Sequence, residues 1–170
     1  MLQLVLMRHG KSDWDASYGA DHDRPLAERG VRSARLMGRL LTDADRSPDL
    51  VVSSTAARAH STALLASQSG GWDCEIVTDR SIYGGSTGVV LDAVGRLAGQ
   101  NRRVLVVGHE PTWSNLVREL VGARVEMKTA SVAGVGLLID EWSSLPGATG
   151  WLDYLIHPRM FSFGDRLDSD

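Results

Sequence analysis

The apolar positions fall into short unbroken runs, separated by stretches with a helical period. Residues 2–7 (LQLVLM) and 102–109 (RRVLVVGH) are apolar almost to their ends. That is the pattern of interior strands covered on both faces. Residues 47–54 (SPDLVVSS) give a turn and a short apolar strand, and residues 74–79 (CEIVTD) a third strand. Residues 25–44 place Leu26, Ala34, Met37, Leu40 and Leu41 on roughly one helical face, with Pro25 near the helix start. Residues 55–68 are alanine-rich and helical, with Ser54 or Thr55 as N-cap and Gly70 and Gly71 closing the helix. Residues 86–99 read as a third helix. Residues 111–122 read as a fourth, with Pro111 in its first turn and Gly122 at its end. Residues 131–140 and 150–158 read as two late strands joined by a turn-rich loop. Residues 10–24 are polar and turn-rich, hence a loop, and residues 166–170 are expected to fray.

Strand and helix thus alternate four times before a closing strand pair. The order predicts a three-layer α/β/α sandwich on a mainly parallel sheet, one domain over residues 1–170.

Composition narrows the function classes. Apolar content of 43% and charged content of 23% are those of a soluble globular chain. A net charge of −3 argues against binding nucleic acid across a broad basic face, though not against a small positive pocket. Cys74 is the only cysteine, which excludes an internal disulfide and a cysteine-based zinc site. It suits a reducing cytoplasm. The first residues lack the basic and long apolar regions of a signal peptide, and no apolar run approaches the ~20 residues of a membrane span. The expectation is a cytoplasmic protein with no membrane partner.

Candidate chemistry collects at strand ends. In open α/β sheets, ligands bind beyond the carboxyl ends of the strands. Strand one ends in Arg8 and His9. Strand two leads through Ser53, Ser54 and Thr55 to a helix with Arg58 in its first turn. Strand four ends in Gly108 and His109. Two guanidiniums and two imidazoles at one rim suit a phosphoryl group. Arginine offers paired donors that match phosphate oxygens and stays charged at any working pH. A helix N-terminus near Arg58 adds backbone donors. A neutral imidazole, with an unperturbed pKa of ~6.5, is a competent nucleophile toward phosphorus. A second imidazole, when protonated, stabilises charge on the phosphoryl oxygens. Gly10 lets the backbone turn sharply or approach closely.

With "LMRHGKSDW", "DRPLAERG", "DLVVSSTAARAHST" and "VVGHEPTWSN" in that order, the chain resembles the histidine phosphatase superfamily. That group also holds the cofactor-dependent phosphoglycerate mutases. The resemblance runs over almost the whole chain and is nearest the small SixA-type phosphohistidine phosphatases. It implies a phosphoglycerate mutase-like fold without the large helical insertion. It also implies a transiently phosphorylated His9, phosphoryl oxygens held by Arg8 and Arg58, and a pocket completed by His109. Arg24, the arginine before "PL", is implied to face the site as a further phosphate- or substrate-binding residue. The implied enzyme is a metal-independent hydrolase with no cofactor.

One departure matters. Larger members carry an acidic proton donor after the third strand, whereas residues 81–91 here hold no carboxylate. Ester hydrolysis usually needs an acid for the alkoxide leaving group. A phosphoramidate leaves as imidazole, so the departure leans toward phosphohistidine on a protein. Asp21, Asp23 and Glu110 are the carboxylates that folding can bring in instead. The alternatives are a phosphatase or mutase acting on a small phosphate ester, and a non-catalytic phosphate-binding module.

Other polar residues carry plainer readings. Arg24 can simply pair with Asp21 or Asp23. His60, two residues after Arg58, falls on another helix face. Asp21, His22 and Asp23 are too close in sequence to argue for a metal site. His157 reads as structural, Trp113 as packing or as a pocket wall, and Gly84 with Gly85 as a turn. Lys11 and Ser12 are solvated loop residues or rim contacts.

Overall fold

The apolar runs become the strands of one sheet. These are β1 (Gln3–Arg8), β2 (Leu50–Ser54), β3 (Glu75–Asp79), β4 (Arg103–Gly108), β5 (Val132–Leu137) and β6 (Gly150–Ile156). The structure is a computed structural model and describes residues 1–161, so the tail expected to fray lies outside the described residues. The strand order is β3-β2-β4-β1-β5-β6. The first four of these run parallel, while β5 runs against β1 and β6 against β5.

Four helices cover the sheet: α1 (Glu28–Asp43), α2 (Ala57–Gly70), α3 (Thr87–Leu97) and α4 (Thr112–Val121). Successive strand residues point to opposite faces. Val5 and Met7 therefore join Met37 and Leu41 of α1 and Ala59 and Ala63 of α2. Leu4 and Leu6 join Val90 and Val94 of α3 and Trp113 and Leu116 of α4. Each fully buried Leu or Met stabilises the fold by about 1.5–3 kcal/mol. Among the described residues there is no large helical insertion, and no helix is long and apolar enough to cross a membrane.

This topology makes a crevice. β1 and β4 are neighbours, yet α1 leaves β1 for one face and α4 leaves β4 for the other. The carboxyl tips of the two strands are thus left uncovered between two helical layers, where α/β sheets bind ligands.

Two helix starts differ from expectation. α1 begins at Glu28, not at Pro25, because the preceding residues are extended: Leu26 bridges Ser12, and the Ala27 amide donates to the Lys11 carbonyl at 2.9 Å. α2 starts after Ala56 without a side-chain cap. Ser54 Oγ does accept the Ala56 amide at 3.3 Å, but it and Thr55 Oγ1 also serve histidines. The helix ends fall as expected, with Gly71 and Gly122 left-handed at φ +64° and +72°. Gly10 packs against the first turn of α1, and a Cβ there would lie 2.8 Å from the Gly30 carbonyl oxygen.

Candidate active site

Strand register brings the two histidines together. Arg8 lies opposite Gly108 in the β1–β4 ladder, so His9 and His109 emerge side by side. The His9 amide donates to the Gly108 carbonyl at 3.0 Å, and its carbonyl accepts the Ala130 amide at 3.1 Å. The backbone of His9 is thus clamped from both sides. Its ring centroid is 5.1 Å from that of His109, with the planes tilted by 55°.

The hydrogen bonds assign the protons. His9 Nδ1 lies 2.7 Å from the Gly10 carbonyl oxygen. A carbonyl only accepts, so Nδ1 carries the proton and Nε2 keeps its lone pair. His109 Nε2 lies 2.9 Å from Ser54 Oγ; that hydroxyl already accepts the Ala56 amide, so we assign its proton to the bond with Nε2 and the His109 proton to Nδ1.

Asp21 organises the arginines. It sits in a 3-10 turn (Asp21–Asp23) that closes the loop before Arg24. The Arg58 guanidinium, 5% exposed, donates to the Asp21 carbonyl at 2.7 Å and to Asp21 Oδ2 at 3.0 Å. Arg24, 6% exposed, donates through Nε to Asp21 Oδ1 at 3.0 Å, and its Nη1 meets Ser12 Oγ. Its guanidinium lies 3.5 Å from the centre of the Trp14 ring. The Tyr83 hydroxyl donates to Asp21 Oδ2 at 3.0 Å, and its ring meets His109 edge-on at 5.5 Å. Arg8 donates through Nη1 to the Met127 carbonyl at 2.8 Å.

Three buried nitrogens of this group, Arg8 Nε, Arg58 Nε and His109 Nδ1, have no protein partner. A buried donor left unpaired costs about 1–3 kcal/mol, so three around one nucleophile suit a ligand with several acceptors. A tetrahedral oxyanion is such a ligand.

Comparison with known proteins gives the family. Residues 4–84 match the family model for the histidine phosphatase superfamily (branch 1). A solved structure from Nakamurella multipartitia, provisionally assigned as a phosphohistidine phosphatase SixA, is 31% identical; the match covers 92% of this chain and 96% of that one, with a TM-score of 0.79. The chain belongs to the histidine phosphatase superfamily. A protein histidine phosphatase SixA solved with tungstate is 26% identical, with a TM-score of 0.80 over 94% of this chain and 99% of the other. An uncharacterized Mycobacterium tuberculosis protein is 41% identical over 127 residues, 75% of this chain and 76% of its own. Membership of the superfamily supports phosphatase chemistry.

In this histidine phosphatase both site imidazoles are neutral at pH 7. Burial pulls His9 down to about 3; the Gly10 carbonyl opposes the shift, and the charges of His109, Arg58 and Arg8 reinforce it. Burial also pulls His109 down to about 4, helped by Arg58, opposed by Asp21 and helped again by Arg8 and His22. The protonated second imidazole considered from the sequence is therefore absent from the free site, where the ring is a neutral donor. Burial works against ionisation of Asp21, but the bonds from Tyr83 and Arg24 and the charges of Arg58 and Arg24 outweigh it. The carboxyl is held below its usual range.

The fold brings together Arg8, His9, Arg58 and His109. Arg24 joins them only through Asp21, and each of its guanidinium nitrogens has a partner. Lys11 is exposed at the rim and Ser12 is buried under Arg24. Trp113 packs in the core, fully buried. His22, weighed in the sequence only as part of a run of possible metal ligands, and Tyr83, not singled out, both border the site. Their rings meet edge-on at 5.0 Å, and His22 Nε2 lies 2.9 Å from Thr55 Oγ1. For His22 the adjacent Asp21–Arg24 pair was the available signal; Tyr83, 62 positions from Asp21, had none.

Proposed function

We propose that this chain hydrolyses phosphohistidine on a protein through a phosphorylated His9. The observation that carries the reading is the state of the carboxylates. Asp21 is bound to Arg58, Arg24 and Tyr83 and held ionised, so it has no proton to give an alkoxide. Glu110 Oε1 accepts from Ser114 Oγ at 2.8 Å, and Asp23 stands beside His22 at 3.4 Å. Each of the three is thus engaged by a neighbouring group. An imidazole leaving group needs less help, because it departs as a neutral ring once protonated from solvent.

The His9 Nε2 lone pair attacks phosphorus while the substrate N–P bond breaks, and the electron pair stays on the departing ring nitrogen. Arg8 and Arg58 hold the phosphoryl oxygens, and the His109 Nδ1–H donates to the charge that builds on them. The anion raises the proton affinity of His109, which strengthens that bond. Water then attacks the phosphoryl group on His9. The N–P bond breaks back to Nε2, inorganic phosphate leaves, and the excess proton goes to solvent. Arg24 acts behind Asp21 as a positioning residue for Arg58.

The test compares kcat/KM for a phosphohistidine peptide with that for common sugar phosphates. The peptide is expected to win; an ester preference of orders of magnitude overturns the reading. His9→Ala should abolish turnover while retaining phosphate binding, and the wild type should trap an acid-labile, base-stable label on Nε2.

A further inference from the structure

A second concavity of about 280 Å³ opens beside Arg8 on the α1 side of the rim. Its cationic side chains are Arg8, Lys11, Arg29, Lys128 and Arg159, with the His157 ring beside them. These come from the end of β1 and the loop after it, the first turn of α1, the segment before β5 and the turn after β6. Among the described residues no carboxylate lines it. Lys11, Arg29, Lys128 and Arg159 are all exposed. Among the described residues Lys128 alone of these four pairs with an acid, Glu126, whose carboxyl also feels the charge of Arg8. His157 Nδ1 is engaged by Ser131 Oγ at 2.6 Å, which fixes its ring at the pocket wall.

The arrangement runs against the chain as a whole, whose net charge is −3. Five cations against the single counter-charge of Glu126 repel one another, and an anionic ligand reduces that repulsion. Arg8 belongs to both places: it lines this pocket, and its charge is felt at His9. A ligand filling the pocket therefore lies next to the phosphoryl site.

We propose that this basic pocket receives acidic side chains flanking the phosphohistidine of a protein substrate. The inference rests on the phosphohistidine reading above and adds what selects the substrate. A protein fits better than a small bisphosphate for two reasons. The cations are long, exposed and mounted on four separate segments, which suits carboxylates spread over a surface. Trp14, 63% exposed and stacked on Arg24, adds an apolar contact at the same rim that a compact anion does not use. Such a patch steers encounter and fixes register.

The experiment uses two phosphohistidine peptides, one flanked by glutamates and one by glutamines, on the wild type and on an Arg29→Gln/Arg159→Gln double variant. Both arginines are exposed, and a near-native Tm checks that the variant folds. The wild type should favour the glutamate peptide by about tenfold in kcat/KM, mostly through KM. The ratio should fall to about twofold or less in the variant, and likewise at about 0.5 M salt in the wild type. Equal rates on the two peptides, or a preference that survives in the variant, overturns this inference alone. Turnover of a small phosphate ester with neither peptide hydrolysed overturns the phosphohistidine reading, and this inference with it.

Discussion

His9 is a base that folding keeps from protonating. Its ring carries a proton on the Gly10 side and is held down to about 3. The acid limb of kcat/KM should therefore lie well below the ~6.5 of an ordinary imidazole. A limb at 6–7 in a pH–rate profile would contradict this. The same shifts bear on stability. The unfolded chain binds protons at His9 and His109 near pH 6.5, whereas the folded chain binds them only near 3 and 4. Their contribution is thus fully present above about pH 6.5. It is lost as pH falls toward 4, by up to about 1.4 kcal/mol per pH unit for each ring. Thermal melts between pH 7 and 4.5 should show the decline, and His109→Gln should flatten it. Asp21 is the second residue of consequence. Asp21→Asn leaves two nearly buried arginines without their shared carboxylate, and kcat/KM should fall about tenfold or more. Since Asp21 is itself half in water, the loss of Tm should be modest. Steady-state kinetics with a melt on the same sample separates the two effects.

The elements carry the site by their ends. Gly108 closes β4, and a Cβ there would fall 2.6 Å from carbons of the fully buried Trp113 ring. Gly108→Ala should overpack this junction by about 1–3 kcal/mol. It should lower Tm by several degrees and reduce activity as well, because His109 is the next residue. Unchanged melting would mean that the ring moves freely. The strands were legible because interior parallel strands are apolar on both faces, and Arg8, His9 and His109 stood out as polar residues ending such runs. The helix starts were less legible. Ser54 and Thr55 have the hydroxyls of N-caps, but those hydroxyls are engaged by His109 and His22. Pro25 resembles a first-turn proline, yet the Ser12–Leu26 bridge keeps it extended. In both places a contact between distant segments overrode a local preference that sequence alone reports.

For the whole molecule, alternation of strand and helix was enough to foresee the sandwich, because connection rules leave few other ways to cover a parallel sheet. Tyr83 escaped notice because only the finished fold carries it to Asp21. An oxyanion that binds only the folded state should stabilise it by about 2.7 kcal/mol at a hundredfold excess over Kd. Tungstate or phosphate should therefore raise Tm by roughly 5–10 °C. Arg58→Ala should abolish that rise, and a rise that persists would place the anion elsewhere. The pairing of β1 with β4 has a last consequence. His9 and His109 stand a hundred positions apart in the chain and meet only across that central ladder. No fragment of fewer than a hundred residues contains both histidines, so turnover reports on the integrity of the middle of the sheet. Proteolytic halves should be inert until recombined, and inactivation by denaturant should coincide with loss of the sheet instead of preceding it.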